Sequence, residues 1–176
     1  MKKRSSLFLI TLLFAACQGK ETETTANLTA DTTKYPYEVK TPEDWEMNPD
    51  PKNLLVAMKA LKAFENLDTT ELKKYIGDSI NLVVDGYEFK GRKAEFIKEA
   101  QMEMDKHKSI TIKMEDRESV INKDKSKAWV SLWYKQYWED KTGKKDSINY
   151  FNDLKIKDGK IVVWSEYGQH AMVKQK

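Results

Sequence analysis

Apolar residues recur at helical spacing in the first half of the folded chain. The stripe that predicts the first helix consists of Leu54, Met58, Leu61 and Phe64. Asp50 suits its N-cap and Pro51 its first helical position, because proline lacks the donor that a helix start leaves unused. A short second helix is predicted after Asp68, with Gly77 as its stop, and a third over residues 92–107.

Strict alternation of apolar and polar residues marks the strands. They are predicted at residues 79–85, 109–121 and 126–139 and in the two arms of a hairpin within 150–167. Gly86 and Gly91 bracket a turn. Helices followed by an antiparallel sheet predict an α+β domain. A sheet this long must curl, so we expect a cone-shaped barrel of strongly curved antiparallel sheet, with three N-terminal helices on its concave face.

The hairpin sets the register of the last two strands. Asp158-Gly159 is typical of a type I′ turn, which places Lys157 opposite Lys160. The inner face then carries the pairs Ile156/Ile161, Leu154/Val163, Asn152/Ser165 and Tyr150/Tyr167. This face begins apolar and becomes polar, which predicts a pocket lining at one end. The predicted ligand-binding residues are Asp85, Tyr134, Tyr150, Asn152, Ser165 and Tyr167.

Aromatic residues crowd the strand at 126–139. If Val130 and Leu132 face the core, then Trp129, Trp133 and Tyr137 point outward. The predicted outer belt is Trp129, Trp133, Tyr137, Phe151 and Trp164. Such a belt exceeds what a monomer usually exposes, so it predicts a homodimer interface. The alternative is a register shifted by one residue, which would place the belt in the core.

The N-terminus has the composition of a processing signal. A basic start and a short apolar run over residues 1–16 end directly before Cys17, the only cysteine. This ending resembles a bacterial lipobox, although Phe14 departs from its usual aliphatic residue. We therefore expect a lipoprotein signal peptide at 1–16, lipidated Cys17 with a polar tether at 17–48, and a folded domain at 49–170. The predicted location is the bacterial cell envelope, anchored by lipid in the outer membrane.

Charge and composition narrow the function classes. Residues 1–16 carry three of the 31 basic side chains and no acid, so the remaining chain balances 28 basic against 28 acidic residues. This balance gives no support to nucleic-acid binding. His107 and His170 stand apart from other ligand-type residues, so neither a metal nor a cofactor is predicted. A single cysteine also excludes an intramolecular disulfide.

Three stretches resemble one superfamily. They are ALKAFENLD at 60–68, VVDGYEFKGRKAEF at 83–96 and LKIKDGKIVVWSEY at 154–167. Residues 49–168 are similar to the nuclear-transport-factor-2-like superfamily, which includes SnoaL-like polyketide cyclases and ketosteroid isomerases. The resemblance implies a cone-shaped fold. It does not imply one function, since this superfamily includes enzymes, binding modules and dimerising scaffolds.

The isomerase site can be compared residue by residue. The resemblance places Asp85 at the position of the catalytic base, Asn152 at that of an acid that holds the oxyanion, and Ala60 at that of a tyrosine donor. One role is therefore retained, one altered and one lost. Asp85 before a glycine also fits a simple turn.

Three functional hypotheses follow. The first is a membrane-anchored, non-catalytic domain that binds a small apolar ligand or acts as a scaffold. The second is a SnoaL-like cyclase, isomerase or dehydratase with Asp85 as general acid/base. The third is a dimerising interaction module that uses the aromatic belt.

Overall fold

The structure is a computed structural model that describes residues 34–40 and 43–169. The compact unit begins at Lys40, and residues 34–39 before it form neither helix nor strand. Within the described residues, the helices are α1 (Lys52–Glu65), α2 (Thr69–Leu72) and α3 (Lys93–Met104). The strands are β1 (Trp45–Met47), β2 (Ile76–Val84), β3 (Tyr87–Arg92), β4 (His107–Asn122), β5 (Ala128–Asp140), β6 (Lys145–Lys157) and β7 (Lys160–Gln169).

All seven strands form one sheet in the order β1-β4-β5-β6-β7-β2-β3. Neighbouring strands are antiparallel except β2 and β7, which run parallel. The predicted α+β class is therefore confirmed. Because β1 and β3 end the sheet in the described structure, the sheet is open and not a closed barrel.

The core lies where the helices meet one face of the sheet. Fully buried side chains come from α1, α3 and the central strands, among them Ala60, Leu61, Phe96, Met104, Val130, Leu132, Leu154 and Ile161. The alternation predicted for β5 is confirmed, because Val130, Leu132 and Tyr134 are 0%, 0% and 1% exposed. Apolar burial on this scale is the main driving force for folding.

Helix boundaries follow the capping residues in part. Asp68 caps α2 as predicted, since its carboxylate accepts a hydrogen bond from Glu71 N at 2.9 Å. The predicted extension of this helix to Gly77 was wrong, because β2 begins at Ile76. Gly77 serves close packing instead: a Cβ there would lie 2.9 Å from Val162 Cγ1 on the neighbouring strand.

Two strands were missed at the sequence level. Asp85 and Gly86 have φ of 42° and 88° and form the turn between β2 and β3, where only a turn between glycines was expected. β1 lies in residues that were assigned to the tether, and it pairs with the end of β4. Both are edge strands with mostly exposed side chains, which explains their weak apolar pattern.

A β-bulge in the hairpin changes the face of every later residue of β7. The predicted turn is confirmed, since Asp158 and Gly159 have φ of 51° and 68° and Lys157 pairs with Lys160. After the Ile156–Ile161 pair the register shifts, and Lys155 pairs with Val163, which leaves Val162 as the extra residue. Trp164 therefore lies opposite Leu154, where Val163 was expected.

Several predictions concern residues that the structure does not describe. The signal peptide, Cys17 and the tether up to residue 33 lie outside the described residues, and so does His170. Among the helices that are described, none is long and apolar enough to cross a membrane.

Candidate functional site

A cavity of about 320 Å³ lies between the helices and the sheet. Its apolar wall consists of Leu61, Phe64, Leu72, Leu82, Val84, Phe96, Ala100 and Trp164. Its polar lining consists of Tyr87, Glu99, Glu103, His107, Gln136, Tyr150 and Glu166. Largely apolar walls with a few convergent polar groups are typical of a small-molecule site.

Glu166 is the acid at the polar end of this cavity. The bulge at Val162 turns it to the inner face of β7, opposite Asn152 on β6. Its Oε2 atom accepts a hydrogen bond from the Tyr134 hydroxyl at 3.2 Å. Its Oε1 atom forms no hydrogen bond within the described residues, so this oxygen is left to contact a ligand.

Asn152 connects the groups beneath the cavity and is fully buried. In the amide orientation that satisfies its neighbours, Nδ2 donates to Glu166 Oε2 at 3.1 Å. Its Oδ1 accepts from Trp164 Nε1 at 3.0 Å, and the single proton of the Tyr134 hydroxyl, 3.0 Å away, is shared between this oxygen and Glu166 Oε2. This network fixes the carboxyl group of Glu166, because each polar atom of the buried amide has a partner.

Burial raises the pKa of Glu166 to about 7. The hydrogen bonds from Tyr134 and Asn152 lower this pKa, whereas the negative charges of Asp85 and Glu103 raise it further. Burial also raises the pKa of the Tyr134 and Tyr150 hydroxyls, so both remain protonated donors near neutral pH. Glu166 is thus a carboxyl group of this cavity that can gain or lose a proton around pH 7.

The opposite side of the cavity is formed by α3 and the start of β4. Glu99 and Glu103 are one helical turn apart and both line the cavity. His107 Nε2 lies 3.4 Å from Glu103 Oε1, and the imidazole packs edge-on against Trp138 with centroids 6.2 Å apart. Within the described residues, no cluster of His, Cys, Asp and Glu is arranged to hold a metal ion.

Solved structures share this arrangement of helices and sheet. AusH from Aspergillus nidulans superposes with a TM-score of 0.57 at 18% identity, over 72% of this chain and 89% of that chain. An LEH-like epoxide hydrolase from M. tuberculosis superposes with a TM-score of 0.56 at 15% identity, over 69% of this chain and 86% of that chain. An NTF2-like protein of unknown function from Burkholderia pseudomallei superposes with a TM-score of 0.53 at 10% identity, over 67% of this chain and 91% of that chain.

This domain has the nuclear-transport-factor-2-like fold. The resemblance noted in the sequence is thereby confirmed at the level of the fold. No protein-family model and no curated protein matches the sequence. Identities this low carry no information about the ligand or the reaction.

The NTF2-like domain brings only part of the predicted pocket together. Tyr150 lines the cavity, and Tyr134 and Asn152 lie directly beneath it. Asp85 is exposed and does not line the cavity, and its carboxylate accepts a hydrogen bond from Gly168 N at 3.1 Å. Ser165 pairs with Asp153, on the other face of the sheet from the cavity.

The outer face of the sheet carries an aromatic row. Trp133 and Phe151 have ring centroids 5.1 Å apart, and Phe151 stacks on Tyr167 at 5.8 Å. The prediction that Trp164 belongs to this face was wrong, since Trp164 is 6% exposed and lines the cavity. Tyr167, expected inside, takes its place at 53% exposure. The role of this face as a homodimer interface stays a prediction.

Glu166 is the site residue of β7 that the sequence did not reveal. Likewise absent from the predicted set were Glu99, Glu103 and His107. Counting outward from the turn without a bulge places Glu166 on the outer face beside Phe151. One signal could have located it: Trp164 is large and apolar, and placing it in the core requires the same one-residue shift that turns Glu166 inward.

Proposed function

We propose that this domain binds a small, mainly apolar molecule in the cavity and that Glu166 contacts the polar part of the ligand. The observation that carries this proposal is a carboxyl group with an unbonded Oε1 at one end of an apolar cavity of about 320 Å³. We infer that the sheet curves around this space as a cone, with the helices on its concave face.

Filling the cavity should abolish binding. Ala100 lines the cavity, so Ala100→Leu adds side-chain volume where the ligand would lie. We expect the affinity for the neutral fluorescent probe N-phenyl-1-naphthylamine to fall at least tenfold. Fluorescence titration measures it, and far-UV circular dichroism verifies the fold.

The matched control is Ala94→Leu, the same change on the exposed side of α3. It should bind the probe as the unaltered protein does. Equal affinity of all three proteins would place the probe elsewhere, and an absence of saturable binding to the unaltered protein would contradict the proposal.

Acid–base catalysis in the same cavity is a second candidate, and the pKa of about 7 for Glu166 favours it. Glu166 rather than Asp85 would then exchange the proton, because Asp85 is exposed outside the cavity. For a substrate that is turned over, Glu166→Gln should lower kcat by roughly 10²–10⁴ and remove a pH inflection near 7. Asp85→Asn should keep kcat and only lower the pH of the inflection slightly, because it removes a negative charge that raises the pKa of Glu166. Loss of kcat in Asp85→Asn but not in Glu166→Gln would restore Asp85 as the base.

We also propose that Cys17 carries the lipid that holds the domain on the cell envelope, as the signal at 1–16 predicts. Burial of acyl chains contributes about 0.8 kcal/mol per methylene, so loss of the lipid should release the protein. Expressed in a Gram-negative host, Cys17→Ser should move from the membrane to the soluble fraction and lose labelling by a palmitate analogue. Gln18→Ala should remain in the membrane fraction; an unchanged distribution of Cys17→Ser would refute the anchor.

A further inference from the structure

We propose that the ligand is a cationic amine with an apolar body, held through its ammonium group by the carboxylates of the cavity. This inference rests on the proposed binding function and names its ligand class. It follows from the charges, the hydrogen-bond acceptors and the aromatic groups that line the cavity.

The charge of the lining has one sign. Three carboxyl groups line the cavity, those of Glu99, Glu103 and Glu166. No Lys or Arg is among the described residues that line it. Lys106 forms an ion pair with Glu103 at 2.6 Å, but Glu99 forms no ion pair or hydrogen bond within the described residues. An anionic ligand would therefore be repelled, whereas an ammonium group would relieve the repulsion between these acids.

Hydrogen-bond acceptors without donors provide independent support for a cationic ligand. His107 lines the cavity, and its Nδ1 is buried without a hydrogen-bond partner in the described structure. The Nε2 atom faces Glu103 Oε1 at 3.4 Å, so Nε2 directs its proton toward this carboxylate. Glu166 Oε1 lacks a donor. An ammonium group has three N–H donors and no acceptor, which, within the described structure, matches the vacant Glu166 Oε1 and the unpaired carboxylate of Glu99.

Aromatic side chains add a surface that favours a cation. Tyr150 and Trp164 line the polar end of the cavity with Glu166, and Phe96 lines its apolar wall. The faces of aromatic rings attract cations by roughly 0.5–2 kcal/mol. The same rings bury the apolar body of the ligand, so one cavity accommodates both parts of an aryl-alkyl amine.

Binding of such a ligand should depend on pH through Glu166. The titratable groups around this carboxyl are Tyr134, Tyr150, Asp85, Glu99, Glu103 and His107, from β5, β6, the β2–β3 turn, α3 and β4. A cation stabilises the ionised carboxylate, so binding releases its proton below the pKa of about 7. Affinity should therefore rise about tenfold from pH 6 to pH 8, and Glu166→Gln should remove this rise.

The test compares three probes of similar shape and different charge by isothermal titration calorimetry at low ionic strength. They are 2-phenylethylamine, 2-phenylethanol and 3-phenylpropionate. We expect the amine to bind at least tenfold more tightly than the alcohol, and the carboxylate to bind most weakly. The double variant Glu99→Gln/Glu103→Gln should lose most of the amine preference and keep its affinity for the alcohol. Glu115→Gln, an exposed acid on β4, is the matched control.

The outcomes separate this inference from the function on which it rests. If the alcohol or the carboxylate binds as tightly as the amine, the cavity binds small molecules but does not select a cation, and the inference is overturned. If none of the three probes binds but N-phenyl-1-naphthylamine does, the inference is overturned and the proposed function stands; if none of the four binds, both are overturned. An amine affinity that does not change between pH 6 and pH 8 would remove Glu166 from the recognition of the cation.

Discussion

Deletion of Val162 is expected to leave Trp164 and Glu166 on the inner face of the sheet and to lower the free energy of unfolding by less than about 3 kcal/mol. Val162 is the extra residue of the bulge, and its removal would pair β6 and β7 without the shift in register. The pairs Leu154–Trp164 and Asn152–Glu166 would be kept, because the deleted residue is the one that has no partner on β6.

A change of face would instead expose Trp164 and bury Ser165 and Tyr167. Loss of a buried tryptophan alone costs about 3–5 kcal/mol. Urea unfolding followed by circular dichroism measures the change.

Val162→Ala is the matched control, because it keeps the residue count and therefore the bulge. We expect it to cost about 1 kcal/mol, in the range of a small truncation at a partly buried site. If the deletion variant lost about 3 kcal/mol or more and no longer bound the neutral probe, the residues after Val162 would have changed face and the assignment of Val162 as the extra residue would be wrong.

Replacing Glu166 by Gln should make the domain more stable relative to the unaltered protein as the pH rises from 4 to 8. The unfolded carboxyl has an ordinary pKa of 4.5, and the folded one is raised to about 7. Between these values the unfolded state loses its proton while the folded state keeps it, so the unaltered protein loses stability as the pH rises. The unaltered protein loses about 3 kcal/mol of unfolding free energy in this way. Glu166→Gln has no ionisable group at this position and does not show this loss.

The measurement is urea unfolding of both proteins at pH 4 and pH 8. Comparing the two proteins cancels the other acids, such as Glu71 and Glu95, whose pKa values are lowered by hydrogen bonds and which act in the opposite direction. Glu115→Gln, at an exposed site, should follow the unaltered protein at both pH values. A constant difference between Glu166→Gln and the unaltered protein would mean that Glu166 ionises normally.

The sequence predicted those parts of the fold that depend on a strong local pattern. β5 alternates without interruption from Val130 to Gln136, so its buried face could be assigned before the structure. The turn at Asp158-Gly159 was equally clear, because both residues must adopt positive φ and few pairs do so readily. These two features place β5, β6 and the start of β7 correctly.

The candidate site was predicted only in part, because the extra residue Val162 changes which side chains of β7 face inward. Val162 and Val163 are identical, so nothing in the apolar pattern shows which of them is the extra residue of the bulge. Residues on β5 and β6, such as Tyr134, Tyr150 and Asn152, were correctly placed on the inner face, since they lie before the shift. Every predicted inner residue of β7 beyond Val162 was placed on the wrong face, and Glu166 was missed.

Short edge strands were missed for a different reason. β3 has mainly exposed side chains, and β1 is three residues long and exposed. Neither needs the regular apolar alternation by which a half-buried strand is identified. Their positions depend on pairing with β2 and β4, which are remote interactions that a local pattern does not encode.

The position of β7 also determines the order in which this domain can be completed. It is the last strand of the described residues, yet it lies inside the sheet between β6 and β2. Its parallel pairing with β2 joins Ile161 to Ile76, a contact between distant parts of the chain. Such remote pairing slows folding, since a long loop must close before the contact forms. Without β7 the sheet is two parts, β1-β4-β5-β6 and β2-β3, with no strand pairing between them in the described structure, so the cavity gains Trp164 and Glu166 only when β7 pairs with both.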